Sequence, residues 1–383
     1  MKALFISNDP SIFEEGSSTA KRMKEYADAI GTLHILTRVS RSYKGPSEKN
    51  DGNLFLHAVR GPKLLALWGL SGKAHALIKK EGIEIVSAQD PFEYGRAAAK
   101  AVKGTKAKLH IQIHTDFLSP WFTRSAIARS PQTRMSSINK VRQNIADRVL
   151  PQADGIRVVS KRIQDSLVAK YGAKVVPSVV IPIAVPDTAP PAVPLPGHAF
   201  TFVLMAIGRL EPEKRIEDIL VALARIHKTY PSVGLMIVGD GREQKRLEHW
   251  VDVLGINPYV HFLGDRPDAW GLLQNANAFI QASGYEGYGR TLIEAALARV
   301  PIITSDVGIV GEVFEGYKDV LSTPPGDPTN LGVHIMNLVE DAELRKQLVL
   351  AAEQAARTHL ASAHTTPADI AADLQKTLTA LKV

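Results

Sequence analysis

Short apolar runs that alternate with helical segments constrain this chain more than any other feature of its sequence. In the first half such runs occur at residues 3–8, 33–37, 54–59, 83–88, 108–114, 153–160 and 175–183. They are apolar at nearly every position, which is typical of strands that are buried on both faces of a parallel sheet. Segments with helical periodicity lie between several of them, at 19–30, 64–80 and 94–102. The alternation predicts an α/β fold with a parallel sheet covered by helices.

A proline-rich segment divides the chain into two halves. Six prolines lie between Pro182 and Pro196, where neither a helix nor a central strand can continue. The alternation then restarts, with apolar runs at 202–207, 234–238, 260–263, 278–281, 300–305 and 320–322. A chain of 383 residues is also longer than one hydrophobic core usually serves. We therefore predict two Rossmann-like domains, 1–190 and 191–365, and a C-terminal helix, 366–383, that packs back on the first domain.

Composition and charge narrow the class of protein and its partners. The chain is 45% hydrophobic and 22% charged, as soluble globular proteins are, and it has no cysteine for disulfides or thiolate metal sites. No run approaches the ~20 apolar residues that span a bilayer, so we expect a cytoplasmic protein. Residues 1–190 hold 29 Lys and Arg against 16 Asp and Glu. This basic half suggests an acidic partner, such as nucleic acid, anionic lipid or a phosphorylated substrate. The alternative is a basic surface that merely aids solubility.

Residues 283–312 carry the most informative local pattern. A glycine-containing loop, 283–289, leads into an apolar helix near 290–298 and then into the strand 300–305. Glycines before a helix leave backbone N–H groups uncovered, and the helix N-terminus adds partial positive charge, which suits a phosphate. Glu286 and Glu294 can accept hydrogen bonds from sugar hydroxyls near that phosphate. An ordinary βα unit with solvated glutamates would show the same pattern.

Two cations follow the strand 202–207. In Gly208-Arg209 and Lys214, the arginine can grip phosphate oxygens with two N–H groups, and the lysine supplies a point charge. Alone, this pair fits a solvated helix start at least as well. Together with the glycine loop and the two glutamates, it favours a clamp for a diphosphate.

These motifs stand in the order found in the retaining glycosyltransferases of family 4, and the chain resembles that family over nearly its whole length. The resemblance rests on Gly208-Arg209 with Lys214, 238–241, 262–264, Glu286 with Glu294, and 324–328. It implies the GT-B fold, in which two Rossmann-like domains with parallel sheets face each other across a cleft. It also implies an enzyme that moves a hexosyl group from a nucleotide-diphosphate sugar to a hydroxyl acceptor.

The resemblance implies roles for individual residues as well. Glu286 and His114 would face the donor sugar, Glu294 would hold the ribose hydroxyls, and Arg209 and Lys214 would neutralise the leaving diphosphate. Of these, Glu286, His114, Arg209 and Lys214 are the implied catalytic residues. Further implied contacts with the donor nucleotide sugar are Gly16, Gly208, Phe262, Leu263, Gly287, Tyr288, Gly289, Arg290, Thr291 and Leu292. Ser160, Lys161 and Arg162 match a strand-end serine of the family and the residues that follow it.

The chain departs from the family pattern at three glycines without losing a charged position. Ser17 follows Gly16, Arg299-Val300 precedes Pro301, and Ile309 follows Gly308, each where the family usually has another glycine. No Asp-x-Asp motif lies beside a strand, so we expect no metal and no other cofactor. Fixed cations and helix N–H groups can stabilise a leaving diphosphate without one. Retention is implied by the resemblance alone, and we favour attack on the same face of the sugar, assisted by the leaving phosphate.

An aromatic and basic segment follows His114. Residues 117–122 read Phe-Leu-Ser-Pro-Trp-Phe, and the basic residues after them are Arg124, Arg129, Arg134, Lys140, Arg142 and Arg148. Apolar anchors beside cations fit an interfacial helix on an anionic membrane, close to where the acceptor would enter. The protein would then lie peripherally on the inner face of the membrane. The alternative is a core-packed helix with a solvated basic face.

Other classes of function fit the sequence less well. A nucleic-acid partner is not expected, because no helix-turn-helix, RRM or zinc pattern occurs. A nicotinamide dehydrogenase would need Gly-x-Gly-x-x-Gly after the first strand, which is absent. A non-catalytic or epimerase-like GT-B protein that binds a sugar nucleotide is the remaining alternative. The sequence does not distinguish UDP, GDP or ADP donors, nor a glycan, a lipid-linked saccharide or a small metabolite as the acceptor.

Overall fold

The computed structural model describes residues 1–61, 63–123 and 137–380. Counting these residues, the chain forms two compact units. The first comprises residues from 1–118, 137–182 and 364–380, and the second comprises 119–123 and 183–363. The proline-rich segment thus opens the longer stretch of the second unit, and the end of the chain belongs to the first.

The first unit is built on a sheet that has eight strands in the described part of the chain. The strands are β1 (Lys2–Ser7), β2 (Thr32–Val39), β3 (Glu48–Asp51), β4 (Leu54–Arg60), β5 (Ile85–Ala88), β6 (Lys108–Ile113), β7 (Gly155–Val158) and β8 (Ser178–Val180). Their order is β3-β4-β2-β1-β5-β6-β7-β8, and β3 pairs antiparallel with β4 while the other neighbours are parallel. The edge strand β3 was not predicted, because its sequence Glu-Lys-Asn-Asp has no apolar face. The predicted strand 175–183 is wrong in extent and shrinks to β8.

The second unit contains a parallel sheet with six described strands. They are β9 (Phe202–Ile207), β10 (Val233–Val238), β11 (Val260–Gly264), β12 (Ala278–Gln281), β13 (Ile302–Ser305) and β14 (Leu321–Thr323). Their order is β11-β10-β9-β12-β13-β14, so the winding reverses between β9 and β12. Ligands of open α/β sheets bind at such a switch point, beyond the carboxyl ends of the strands. In the first unit the equivalent position lies between β1 and β5.

Helices connect most of the parallel strands. In chain order they are α1 (Ser18–Ile30), α2 (Lys63–Glu81), α3 (Glu93–Ala101), α4 (Ser137–Val149), α5 (Lys161–Tyr171), α6 (Ile216–Ile226), α7 (Gln244–Leu254), α8 (Ala269–Leu273), α9 (Arg290–Leu297), α10 (Pro328–Glu340), α11 (Ala342–Ser362) and α12 (Pro367–Thr379). The predicted α/β class is confirmed. None of the helices in the described ranges combines the length and the apolar character that crossing a membrane requires.

Each unit has its own core, in line with the apolar runs of the sequence. In the first, Phe5 of β1, Met23 of α1 and Leu374 of α12 belong to one buried cluster. In the second, Leu204 of β9 and Leu220 of α6 belong to another. Burying a large apolar side chain contributes roughly 1.5–3 kcal/mol, so the cores hold the strand ends in fixed positions. The polar residues discussed below follow those strand ends.

Candidate active site

The loops after β9 and β12 meet at the switch point of the second sheet. The N–H of Gly284 donates to the carbonyl of Glu213 at 2.8 Å. The ammonium of Lys214 donates to Oε1 of Glu286, and Ser283 Oγ donates to the same oxygen at 2.7 Å. The Lys214 and Glu286 side chains are 19% and 14% exposed. Because water screens so sheltered a pair weakly, either charge would act strongly on a ligand placed beside it.

The loop after β13 holds this region from the other side. The N–H of Ile309 donates to the carbonyl of Tyr288 at 2.9 Å, and Ser305 Oγ donates to the carbonyl of Ser283 at 2.6 Å. Gly308 has φ = 60°, and a Cβ there would lie 2.3 Å from the Tyr288 carbonyl oxygen. Glycine at 308 is therefore required by both its conformation and its close approach. Ile309, which replaces the second glycine of the family pattern, is fully buried.

Glycines also bring the loops after β9 and β10 together. The N–H of Gly208 donates to the carbonyl of Val238 at 3.0 Å, and the N–H of Leu210 donates to that of Asp240 at 2.9 Å. A Cβ at Gly239 would lie 2.0 Å from the carbonyl oxygen of Gly208. The turn 239–241 thus serves close backbone packing beside Gly208.

Arg209 is not brought to the Lys214–Glu286 pair. Its side chain is 73% exposed and forms an ion pair with Glu213 at 3.2 Å. The guanidinium therefore stands at the surface of the same loop, where the pair with Glu213 is weak. A ligand could draw Arg209 away from Glu213 at little cost.

The first turns of α9 place Glu294 near the end of β12. The helix follows Gly289, whose φ of 93° requires glycine, and begins at Arg290. Arg290 Nε pairs with Glu294 Oε1 at 2.7 Å, and the glutamate side chain is 12% exposed. Burial raises the pKa of Glu294, while Arg290 acts in the opposite direction. The ion pair thus fixes the position of the carboxylate, and because burial removes water from it, a ligand that donates hydrogen bonds to it would be bound strongly.

Gln281 and His359 are polar residues of this region that were not predicted, whereas Tyr288, which contacts His359, was. Gln281 ends β12, and its Oε1 accepts a 3.0 Å hydrogen bond from Thr291 Oγ1. Its buried Nε2 has no hydrogen-bond partner within the described residues. Tyr288 is 2% exposed, and its hydroxyl lies 2.8 Å from Nε2 of His359 on α11. A polar residue ending an apolar strand was the available signal for Gln281, whereas nothing local singles out His359.

The remaining residues predicted to contact the donor nucleotide sugar lie in β11 or in the loop and helix that follow Glu286. Phe262 and Leu263 lie in the last half of β11 and are half-buried. The N–H of Gly239 donates to the carbonyl of Gly264 at 2.7 Å, which holds the ends of β10 and β11 side by side. Gly287, Arg290 and Leu292 follow Glu286 in the loop and in α9, and Leu292 is fully buried.

In the first unit, Gly16 and Ser17 form the start of α1. Gly16 has φ = 78°, and Ser17 is the N-cap, whose Oγ accepts from the N–H of Ala20 at 3.1 Å. Its hydroxyl also donates to the carbonyl of Ser11 at 2.8 Å. The serine that replaces the usual glycine therefore caps the helix. Ser160 does the same for α5, accepting from the N–H of Ile163 at 3.5 Å.

His114 follows β6 and keeps part of its surface exposed. Its Nε2 lies 3.2 Å from Oε1 of Gln112. Burial lowers the pKa of His114 to about 3, and the charges of Arg157 and Arg22 act in the same direction. The imidazole is therefore neutral at pH 7.

The aromatic and basic segment is only partly described. Phe117 and Phe122 are 1% and 3% exposed, and the Trp121 ring lies 4.8 Å from the guanidinium carbon of Arg215. These aromatic side chains are packed against protein. Arg124, Arg129 and Arg134 lie outside the described residues. Arg142 of α4 pairs with Glu93 at 3.1 Å, so it too is engaged internally. Lys140 and Arg148 also lie on α4.

No cluster of three or more His, Cys, Asp and Glu side chains within the described ranges is arranged to hold a metal ion. The charged centre of the site is the Lys214–Glu286 pair. The pair offers one cation and one carboxylate, and α9, which begins four residues after Glu286, offers the N–H groups of its first turn. These are the groups needed to bind a phosphate beside a polyhydroxylated molecule.

Two family models match the chain. The model described as Glycosyltransferase Family 4 matches residues 24–188, and the one described as Glycosyl transferases group 1 matches residues 200–355. Among curated relatives, the glycogen synthase of Mycobacterium tuberculosis is 31% identical over 153 residues, which are 39% of this chain and 37% of that enzyme. The chain thus matches less than half of this relative's length.

Solved structures resemble the chain over almost its full length. Sucrose-phosphate synthase from Thermosynechococcus elongatus superposes with a TM-score of 0.78 at 18% identity and 98% coverage of both chains. HepE from Anabaena, solved in complex with UDP and glucose, superposes with a TM-score of 0.70 at 19% identity and full coverage of both. At these identities the likeness establishes the fold, and the predicted GT-B fold is confirmed.

Proposed function

Because the chain belongs to the family 4 glycosyltransferases, we propose that it transfers a hexosyl group from a nucleotide-diphosphate sugar to a hydroxyl acceptor. The observation that carries the proposal is the sheltered Lys214–Glu286 pair at the switch point of the second sheet. A cation and a hydroxyl-binding carboxylate in contact suit a ligand that joins a diphosphate to a sugar. HepE was solved with UDP and glucose, which makes a UDP-sugar the first donor to test.

The donor is held by groups that follow neighbouring strand ends. Lys214 and the first N–H groups of α9 bind the diphosphate, and Arg209 leaves Glu213 to join them. Glu294 accepts hydrogen bonds from the ribose hydroxyls, for which burial has already removed competing water. Phe262 and Leu263 hold the base, largely through their backbone. This assignment extends the family resemblance to positions that match its motif.

Transfer proceeds with retention and without a metal or other cofactor. The bond between the sugar C1 and the leaving phosphate oxygen breaks, and the acceptor oxygen forms its bond to C1 on the same face. The acceptor proton passes to the leaving phosphate oxygen. Lys214 neutralises charge on the departing diphosphate, where a fixed cation is worth most. Glu286 and the neutral His114 bind hydroxyls of the donor sugar.

A screen of nucleotides and nucleotide sugars tests the proposal. Calorimetric titration of the whole chain with UDP, GDP and ADP should show saturable binding of at least one, followed by turnover of its hexose conjugate. Proton NMR of the first product should show the anomeric configuration of the donor retained. An inverted product would contradict the same-face mechanism, and binding without any transfer to a panel of saccharide, glycolipid and small-molecule acceptors would favour the non-catalytic alternative. Interconversion of the sugar on its nucleotide would favour the epimerase.

Metal independence has a separate test. Transfer should be unchanged by EDTA at a concentration that strips Mg²⁺ and Mn²⁺ from solution. Restoration of a lost activity by either ion would contradict the proposed absence of a cofactor.

We also propose that the basic first unit can meet an anionic membrane from the cytoplasmic side. The support is confined to α4, which exposes Ile138 and Val141 at 54% and 55% beside Lys140, because Phe117 and Phe122 are buried. Flotation with phosphatidylglycerol vesicles should recover more protein than flotation with phosphatidylcholine vesicles, and Val141→Glu should remove the difference. Equal recovery with both lipids would overturn lipid docking.

A further inference from the structure

A chain of buried hydrogen bonds crosses the first unit and ends at His114. Residues 110, 112 and 114 alternate along β6 and just beyond it, so their side chains share one face of the sheet. His110, Gln112 and Arg157 of the neighbouring strand β7 are 1%, 3% and 5% exposed. Polar groups buried to this degree must satisfy one another.

At the Arg157 end of this series of hydrogen bonds, the direction of donation is fixed, because a guanidinium only donates. Arg157 donates to the backbone carbonyls of Ile181 and Pro182, which fix its position, and its Nη1 donates to Oε1 of Gln112 at 3.0 Å. The amide oxygen of Gln112 must therefore face Arg157. The amide nitrogen faces the other way and donates to Ser87 Oγ at 2.9 Å.

At the Asp373 end of the series, the group is a carboxylate, which only accepts hydrogen bonds. Ser87 lies 2.8 Å from Nδ1 of His110, and Nε2 of His110 lies 3.0 Å from the carboxylate of Asp373 on α12. A carboxylate accepts, so Nε2 of His110 carries a proton, and in a ring with one proton Nδ1 then accepts from the serine hydroxyl. Ser87 is then left with lone pairs for the Gln112 amide. This arrangement agrees with the orientation of Gln112 that Arg157 requires.

That orientation decides the tautomer of His114. Oε1 of Gln112 is an acceptor, and Nε2 of His114 lies 3.2 Å from it, so the proton of the neutral ring is on Nε2. Among the described residues, no hydrogen bond reaches Nδ1 of His114. We propose that Arg157 and Gln112 position His114 as the Nε2-protonated tautomer, so that its bare Nδ1 accepts a hydrogen bond from a sugar hydroxyl of the substrate.

This tautomer also limits the substrate. A neutral ring with an unprotonated Nδ1 attracts a donor, such as a hydroxyl or an acetamido N–H, and repels a carboxylate. The sugar group that meets His114 is therefore a neutral hexose substituent and not the carboxylate of a uronic acid. This consequence rests on the proposed function, whereas the tautomer itself does not.

Nitrogen NMR of the whole protein labelled with ¹⁵N-histidine reads the tautomer directly, with His114→Asn used to assign the signal. His114 should show a protonated Nε2 and an unprotonated Nδ1. His75 is an internal reference of the opposite kind, because its Nδ1 lies 2.8 Å from the carbonyl of Ala101 and must carry the proton. In Gln112→Met, which keeps the volume and removes the acceptor, His114 should become a mixture of tautomers while His75 stays unchanged.

A protonated Nδ1 or an imidazolium at His114 in the wild type would overturn the inference, as would an unchanged tautomer in Gln112→Met. If His75 loses its own tautomer signature in Gln112→Met, that variant has misfolded. The more conservative Gln112→Glu, which keeps an acceptor oxygen, then decides the matter: in this variant His114 should retain the proton on Nε2.

Kinetics separate this inference from the proposed function. Gln112→Met should lose about tenfold in kcat/KM, the worth of one hydrogen bond. His114→Asn, whose amide oxygen lies near the place of Nδ1, should retain at least about tenfold more transfer than His114→Leu. Equal activity of the two would overturn the acceptor role of Nδ1. Absence of nucleotide-sugar binding would instead overturn the proposed function, even where the tautomer is as expected.

Discussion

Replacing either partner of the Lys214–Glu286 pair should change nucleotide affinity, and the two replacements should act in opposite directions. In Glu286→Gln, the amide oxygen still accepts the hydrogen bond from Ser283, but the charge that competes with a diphosphate for Lys214 is gone. Two such charges interact by up to about 4 kcal/mol at 4 Å and an effective dielectric constant near 20. Much of this is offset by hydration of the freed ammonium. We therefore expect UDP to bind about tenfold more tightly to Glu286→Gln.

Lys214→Ala removes the cation itself. A hydrogen bond from a charged group contributes about 1.5–3 kcal/mol, so UDP should bind roughly 10–150-fold more weakly. Transfer should fall in both variants, by about 10²–10³ in kcat. In Glu286→Gln the loss arises at the sugar, and in Lys214→Ala it arises at the leaving group. Because the two side chains are in contact, the change in UDP binding free energy in the double variant should differ from the sum of the changes in the two single variants.

The assay is calorimetric titration with UDP, paired with initial rates for the donor identified in the screen. Arg242→Ala is the matched control, since Arg242 is 68% exposed and pairs with Glu211 at 2.8 Å. It should leave binding and rate within about twofold of the wild type. Weaker UDP binding by Glu286→Gln, or near-wild-type turnover of either site variant, would refute the reasoning.

Three further predictions concern stability and the nucleotide. Gly308→Ala should lower the unfolding free energy by about 3 kcal/mol or more in urea denaturation, against about 1 kcal/mol for Gly255→Ala. The two glycines share a left-handed conformation, with φ of 60° and 66°. They differ in space, because within the described part of the chain no atom beyond its neighbours lies within 4 Å of a Cβ placed on Gly255. Equal losses of stability in the two variants would therefore contradict the contact of residue 308 with the Tyr288 carbonyl. Burial and the nearby His57 lower the pKa of His34 to about 4, so the unfolded chain takes up a proton below about pH 6.5 while the folded one does not. Stability should therefore fall by about 2 kcal/mol from this residue between about pH 7 and pH 5, and His34→Phe, which keeps the stacking on Phe55, should flatten the curve; parallel curves would contradict this. Glu294→Gln should weaken UDP binding by about 10–100-fold without loss of stability at pH 7, because burial disfavours the charged form; unchanged affinity would remove Glu294 from the ribose site.

The regular part of the fold could be predicted from the sequence because its strands are nearly continuous apolar runs. β1, β9 and β10 have such runs, and all are buried. The antiparallel strand β3 could not be predicted, since it pairs at the edge of the sheet through its backbone while its side chains stay largely in solvent. Its position depends on the partner strand and not on its own sequence.

The candidate site divides in the same way. Glycines and charged residues in order along the chain indicated Lys214, Glu286 and Glu294, and the structure places each at the carboxyl edge of the second sheet. Sequence order does not say which charges touch, so the pairing of Arg209 with Glu213 instead of with the central pair could not be foreseen. Nor could the chain from Asp373 to His114, in which His110 and Asp373 are 263 positions apart.

The most direct test of the proposed donor site is a crystal structure of the protein with the nucleoside diphosphate that it binds. We predict that the diphosphate contacts Lys214 Nζ and the first N–H groups of α9, and that the ribose hydroxyls donate to Glu294. A nucleotide bound elsewhere, or one whose diphosphate makes no contact with Lys214, would contradict this assignment.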